Sequence, residues 1–533
     1  MRVGRNKRRN PHHRSSRAES RDGIQLGSRA ALDAARAERR LAGLLGLLLL
    51  GCATPSPVAP AVVTRREPGL LSTPTPNTLI RQLPSALAVD PLTLVPPPLD
   101  FSLKQPEVLT LRNGLQVYLL EDHTAPLVLL RALVPVGGVD DPPEKLGLAS
   151  VTATLVTQGG AGSRTPDVLD ELLEFHAADV SSGAGDEYST VTLSLRSADL
   201  PKLFPVFADL VQRPRFEGPR FDVAAGRFLE GIRRREDRPD GVAARALNKA
   251  VFGPGSLLGR EATEATVKAL TVADVKKLHA TTWGAKSARL IITGDFDPKA
   301  LRPLLERDFA SWKGGAPAPR QWAAPAPLVR RVIVVPRKIA QAKVRLGAWG
   351  FPRNTPLEFP LRLANTTLGT FGVGRLYKEI RDERGLAYSA FSSVNPGPTT
   401  GQFTAGFDTK PEQVAEALDV ATRILRELGA GAPMSEAELR TSRDIAINAF
   451  AFRFDSAAKI AFERASYDLF GYGQDYLSTW RAKIGGVSAA EASEAARQFD
   501  AGLQIIVVGP VDKLGDLARF GPVSTITDVE QFR

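Results

Sequence analysis

Ala288-Arg-Leu-Ile-Ile-Thr-Gly-Asp-Phe-Asp297 recurs, with the same order of residue types, as Leu503-Gln-Ile-Ile-Val-Val-Gly-Pro-Val-Asp512. Each copy places an apolar run before a glycine, a short loop and an aspartate, which reads as a buried strand, a turn and the start of a helix. Ahead of each copy lies a helix with a polar cap: Thr271-Val-Ala-Asp274 before the first and Ser488-Ala-Ala-Glu491 before the second. The second has the spacing of a capping box and the first nearly so. Gly294 and Gly509 are 215 residues apart. Between them, residues 313–327 (Lys-Gly-Gly-Ala-Pro-Ala-Pro-Arg-Gln-Trp-Ala-Ala-Pro-Ala-Pro) form a linker by composition. Matching strands, matching flanks and an intervening linker imply an internal duplication, two similar α+β domains of about 210 residues each.

Regular structure in the first copy is expected from residue 109 onward. Asn113-Gly114 sits between two alternating apolar runs, a hairpin signal. A strand over residues 127–136 and a short helix from about Leu146 follow. Upstream, residues 52–105 are rich in Pro, Ala and Thr and hold no sustained period, so they read as an extended tether. Residues 1–51 are a basic leader. They hold twelve Lys/Arg and four Asp/Glu, so +8 of the formal net charge of +11 belongs to them and +3 to the remainder. That remainder implies no nucleic acid or other anionic partner. Within the leader, Arg39-Arg40 precede ten apolar or small residues, then Gly51 and Cys52. This is the pattern of a secretory signal, too short to span a bilayer. Leu49-Leu50-Gly51-Cys52 resembles a bacterial lipobox, and Cys52 is the single cysteine of the chain. The expectation is a lipid-anchored protein of the bacterial envelope facing the periplasm. Ala53 stands where inner-membrane retention uses Asp, which favours the outer membrane.

Few residues could carry catalysis. Of five histidines, His12 and His13 lie in the leader, and His123, His176 and His279 are 53 and 103 residues apart. No pair has the i, i+4 spacing that aims two imidazoles at one ion. There is no C-x-x-C, no phosphate-cradling glycine loop after a strand and no G-x-S-x-G elbow. Arg233-Arg234-Arg235 reads as a solvated helix face. Residue chemistry alone therefore gives a duplicated α+β protein without an evident active site.

The stretch Leu363-Ala-Asn-Thr-Thr-Leu-Gly-Thr-Phe-Gly-Val-Gly-Arg-Leu-Tyr-Lys-Glu-Ile-Arg-Asp-Glu-Arg-Gly-Leu-Ala-Tyr-Ser-Ala-Phe-Ser-Ser393 resembles the second-domain signature of the pitrilysin/insulinase family of zinc peptidases. There a helix ending in Arg-Gly-Leu-Ala-Tyr-Ser runs into a strand. Residues 113–128 resemble the family's opening strands and residues 233–240 its charged helix end, so the likeness covers about 109 to 517. The family's fold implies two α/β sandwich domains in tandem, each with a mainly antiparallel sheet packed by helices. The expected organisation is a leader (1–51), a tether (52–105), an N-terminal domain (106–312), a linker (313–327) and a C-terminal domain (328–533).

Catalytic members carry an inverted zinc motif, H-x-x-E-H, on a helix after Gly-Leu-Ala. Here Gly147-Leu148-Ala149 is followed by Ser150, Val151, Thr152, Ala153 and Thr154. By the resemblance, Ser150, Ala153 and Thr154 stand where the two histidines and the catalytic glutamate belong, and Gly231 where the third ligand belongs. Glu230 is adjacent, but one residue along a helix turns a side chain by roughly 100°. No zinc is therefore expected in this chain, nor cleavage by the chain alone. The family's non-metal half supplies an Arg and a Tyr seven residues apart, and these positions hold Arg381 and Tyr388. The resemblance implies that they bind substrate and stabilise the transition state in trans. The expectation is a non-catalytic subunit of a heterodimeric zinc endopeptidase, with an H-x-x-E-H partner and an unfolded peptide as substrate. The alternative is an inactive binding or scaffold protein of the cell envelope.

Overall fold

The hairpin signalled by Asn113-Gly114 forms, its turn closed by the Leu111 amide donating to the Leu115 carbonyl at 2.9 Å. Strand β1 (Glu107–Thr110) pairs antiparallel with β2 (Gln116–Glu121), Thr110 opposite Gln116, leaving five residues between them. The Asn113 side chain serves both the turn and the core: its oxygen accepts from the Leu115 amide at 3.2 Å, and its amide donates to the carbonyls of Phe309 (2.8 Å) and Trp312 (3.0 Å). The computed structural model describes residues 103–324 and 326–532; the leader, Cys52 and nearly all of the tether lie outside the described residues.

The other strands of the first sheet are β3 (Leu127–Val134), β4 (Asp179–Ala184), β5 (Ser189–Arg196) and β6 (Arg289–Gly294), in the order β1-β2-β6-β3-β5-β4. All neighbours are antiparallel except β2 and β6. The second sheet comprises β7 (Arg331–Pro336), β8 (Ala342–Trp349), β9 (Phe351–Pro352), β10 (Ala387–Gly397), β11 (Gln402–Thr409), β12 (Gln504–Gly509) and β13 (Val523–Thr525). Its order is β13-β7-β12-β8-β11-β10-β9. The repeated sequence segment is β6 in one sheet and β12 in the other. Each lies between a parallel neighbour (β2 or β7) and an antiparallel one (β3 or β8), so the two copies occupy the same place in the same topology.

Twelve helices matter for the argument. In the first half they are α1 (Leu148–Gln158), α2 (Leu200–Gln212), α3 (Gly218–Arg234), α4 (Pro239–Phe252), α5 (Val272–Thr282) and α6 (Pro298–Phe309). In the second they are α7 (Glu358–Gly369), α8 (Val414–Arg426), α9 (Glu436–Ala451), α10 (Ala457–Leu469), α11 (Tyr476–Gly486) and α12 (Ala489–Ala496). Thr271 and Ser488 cap α5 and α12 in true capping boxes, with Asp274 doing what a Glu usually does. The helix read after Asp297 is α6, but after Asp512 only the short turn Val511–Lys513 forms.

Each sheet is covered on one face by helices of its own half. Leu155, Phe204, Phe207, Leu305 and Phe309 pack under the first sheet, and Leu363, Leu368, Leu418 and Leu425 under the second. The opposite faces are covered reciprocally. Val242, Ala246 and Leu247 of α4 lie on Ile333, Val335, Ile506 and Val508 of the second sheet. Ala461 and Ala465 of α10 lie on Tyr118, Leu120, Leu133 and Ile291 of the first. With helices on both faces, β6 and β12 must be apolar throughout rather than in alternation, which is the continuous run that the sequence shows. Strand β5, by contrast, alternates buried and half-buried residues. Gly347 allows α4 its approach, since a Cβ there would lie 2.6 Å from Leu247 Cδ1. The linker is held down by Arg320, which forks onto both Asp140 oxygens at 2.8 Å and donates to the carbonyl of Pro135. Among the described residues, no helix is long and apolar enough to cross a membrane.

Candidate functional site

The residues that the sequence resemblance matches to the zinc motif, Ser150, Ala153 and Thr154, lie on α1, which packs against α3 and against β4. The helix starts where Asp141 accepts from the amides of Gly147 (2.7 Å) and Ala149 (2.8 Å). Ser150 and Thr154 are half-buried, and Ala153 is fully buried. The Thr154 hydroxyl donates to the Ser150 carbonyl at 3.0 Å, and Ser182 of β4 donates to the Ala153 carbonyl at 2.7 Å. Gly231 on α3 faces open space, and Glu230 pairs with Arg234 at 2.5 Å. Zinc in proteins is held by thiolate, imidazole or carboxylate. The side chains on α1 and at position 231 offer two hydroxyls, a methyl group and a hydrogen, so they do not fit the ion. Among the described residues, no group of three or more His, Cys, Asp or Glu is placed to hold a metal.

The three described histidines have structural surroundings. His176 is buried, with Nδ1 2.8 Å from Asp199. His279 is buried between Phe216 and Trp283 and donates from Nε2 to the Val211 carbonyl at 2.9 Å. His123 is exposed, 2.7 Å from Asp295. Arg235, read from the sequence as part of a solvated face, is instead mostly buried. It donates to the Ala262 carbonyl and pairs with Glu530, tying the end of α3 to the C-terminal segment. Arg233 and Arg234 do stay at the surface, paired with Glu264 and Glu230.

Arg381 and Tyr388 are brought together. Arg381 sits in a wide helical turn, Lys378–Glu383, anchored by the fully buried Ile380. The chain then reverses through Gly385, whose φ of +61° is a conformation that glycine takes without a Cβ clash. Strand β10 begins with an irregularity between Ala387 and Ala390 that leaves both Tyr388 and Ser389 exposed. The Arg381 guanidinium carbon lies 5.1 Å from the centre of the Tyr388 ring and 4.8 Å from that of Tyr377. Tyr388 is 82% exposed, whereas Tyr377 is buried and meets Phe371 edge-on at 4.7 Å. The nearest carboxylate to Arg381 is its neighbour Asp382, at 4.0 Å. Glu379 is already engaged by Arg384 at 3.0 Å and by Arg423.

Among the described residues, the pair therefore presents a guanidinium with no hydrogen-bond acceptor and a phenol in solvent, next to Phe371, which is exposed and meets Tyr377 edge-on. Donors of this kind can hold a peptide carbonyl and stabilise charge developing on it, at roughly 3–4 kcal/mol per well-placed donor. Tyr377, which fixes one side of the guanidinium, had no role in the sequence reading. Its signal there is its place four residues before Arg381, one helical turn away.

Comparison with known proteins agrees in both halves. The family model described as "Insulinase (Peptidase family M16)" matches residues 116–262, and that described as "Peptidase M16 inactive domain" matches residues 269–445. The chain belongs to the pitrilysin/insulinase family, peptidase family M16. Among similar proteins, an uncharacterized zinc protease of Streptomyces coelicolor is 26% identical over 54% of this chain and 63% of its own length. A second, from Mycobacterium tuberculosis, is 25% identical over 61% of this chain and 74% of its own length. The first match thus spans less than two thirds of the relative. A peptidase M16 inactive domain from Pseudomonas fluorescens shares the fold, with a TM-score of 0.69 at 21% identity, over 76% of this chain and 98% of that one. These matches place two M16-like domains in tandem along the chain.

Proposed function

We propose that this M16 protein is the non-catalytic subunit of a two-chain zinc endopeptidase of the bacterial envelope. In this reading a lipid on Cys52 anchors it, with the outer membrane favoured, and the folded part faces the periplasm. A homologous partner bearing H-x-x-E-H holds the metal and the base. Arg381 and Tyr388 of this chain bind the unfolded peptide and steady the charge on its carbonyl during cleavage.

The observation that carries the reading is the contrast between the two halves. The metal-motif positions hold Ser150, Ala153, Thr154 and Gly231, while Arg381 and Tyr388 stand together, the guanidinium half-exposed with only a 4.0 Å contact to Asp382. A surface arginine stacked on an 82% exposed tyrosine leaves donors facing solvent, where a second subunit and a peptide can reach them. The test is to purify the protein, measure its zinc, and assay it on a quenched unstructured peptide alone and mixed with an H-x-x-E-H homologue from the same genome. The reading expects a metal-free, inert protein that forms a stable complex with the homologue and raises cleavage. If it joins no homologue and raises no cleavage, the alternative, a proteolytically inactive binding or scaffold protein, replaces it. Cleavage by the protein alone would overturn both.

A further inference from the structure

The second half holds a cavity of about 580 Å³ at the N-terminal end of α7, between the loop after β9, the α10–α11 connection and the α11–α12 junction. This volume lies in the range of small-molecule sites. It is built from other residues than Arg381 and Tyr388. Its floor is Phe359, 8% exposed, and Tyr476, 7% exposed, whose hydroxyl donates to Glu358 at 2.6 Å. Glu358 is 1% exposed, and Arg362 completes its neutralisation from 2.8 Å, so the floor is polar at one end but already satisfied. One wall turns at Asn354, which has φ +59° and donates its amide to the Gly471 carbonyl at 3.1 Å, tying two sides of the cavity together. Non-glycine residues in this conformation are strained and persist where the surroundings hold them.

The rim carries both signs of charge. Lys483 places its ammonium 5.8 Å from the Phe359 ring centre, and among the described residues no carboxylate lies within ion-pair distance of it. Asp475, on the same cavity, likewise has no cationic partner among the described residues. Glu491 spends one oxygen on the Ser488 amide and hydroxyl, both at 2.8 Å, and among the described residues its other oxygen has no partner. A simple anion at this mouth would meet Asp475 and Glu491, and a simple cation would meet Lys483. A molecule with an ammonium and a carboxylate on one carbon, and an apolar side chain, satisfies all three features at once. Its carboxylate faces Lys483, its ammonium faces Asp475 and Glu491, and its side chain lies on Phe359 between Pro356 and Pro360.

We propose that this cavity binds a free, large apolar α-amino acid as its zwitterion. The site is independent of the Arg381/Tyr388 pair, and its failure would leave the subunit reading untouched. The test is calorimetric titration of the full chain with L-phenylalanine, with 3-phenylpropionate lacking the ammonium, and with 2-phenylethylamine lacking the carboxylate. L-Phenylalanine should bind saturably, and each analogue roughly tenfold or more weakly. Lys483→Met and Asp475→Asn, both at the exposed rim, should each weaken L-phenylalanine by about tenfold or more at unchanged melting temperature, while Arg381→Ala binds as the unaltered protein does. Absence of saturable binding, equal binding of either analogue, or undiminished binding by both rim variants would overturn the proposal.

Discussion

The Arg381 guanidinium lies between two phenol rings, with its closest carboxylate 4.0 Å away on its own helical turn. Ring faces attract a cation without using its N–H groups, so stacking fixes the guanidinium while leaving its donors free. The positions expected to match the family's zinc motif make the opposite case. Ser150 and Thr154 are half-buried one helical turn apart on α1, and Gly231 has room for a side chain. Replacing them together (Ser150→His, Thr154→His, Gly231→Glu) supplies three ligands on packed helices, enough for zinc with a water in the fourth position. About one zinc per chain is expected by atomic absorption after dialysis, and none for the unaltered protein. A triple variant that folds but stays metal-free would show that positions 150, 154 and 231 do not converge. His279 gives a pH signature. Burial lowers its imidazole to about 4 from 6.5, against the opposing bond to the Val211 carbonyl. The unfolded chain therefore takes up this proton first as pH falls. The stability it contributes is complete above 6.5 and is lost as pH drops toward 4. Between pH 7 and 5 the unaltered protein should lose more unfolding free energy in urea than His279→Phe, whose ring suits the neighbouring Phe216 and Trp283. Equal losses would refute the assignment.

At the scale of elements, the reciprocal covering by α4 and α10 holds the halves together. Gly347→Leu would drive a side chain into Leu247, and overpacking of this kind costs about 1–3 kcal/mol. Leu247→Ala would empty the same contact, at about 2–5 kcal/mol. Both variants should lower the denaturation midpoint, and both should speed proteolysis of the linker near Arg320; unchanged midpoints would mean that α4 adds little to the interface. None of this was legible in the sequence, because an amphipathic pattern shows that a helix has an apolar face but not which sheet receives it. The duplication was legible, because buried strands β6 and β12 kept continuous apolar runs and their preceding helices kept capping boxes. The hairpin at Asn113-Gly114 was legible, whereas the contacts of Asn113 with Phe309 and Trp312 come from a distant segment that the local pattern does not announce. The helix expected after Asp512 was misjudged because the local signal of Gly-loop-Asp does not include what the following chain must cover. At the candidate site, the residue types of Arg381 and Tyr388 were readable through family resemblance. The irregularity in β10 that exposes Tyr388 was not, since no residue there announces it.

At the scale of the whole molecule, one half holds Ser150, Ala153, Thr154 and Gly231, none of them a metal ligand, while the other sets Arg381 against an exposed Tyr388. The proposal of completion in trans stands or falls on the two donors. In a mixture with an H-x-x-E-H homologue that shows cleavage, kcat for an unstructured peptide should be measured with the unaltered chain, Arg381→Ala and Tyr388→Phe, alongside the mass of each complex. The account predicts that both variants still form the complex and that each lowers kcat by about 10²–10³-fold, the cost of removing one oxyanion donor. Full activity from a complex containing Arg381→Ala or Tyr388→Phe would contradict it.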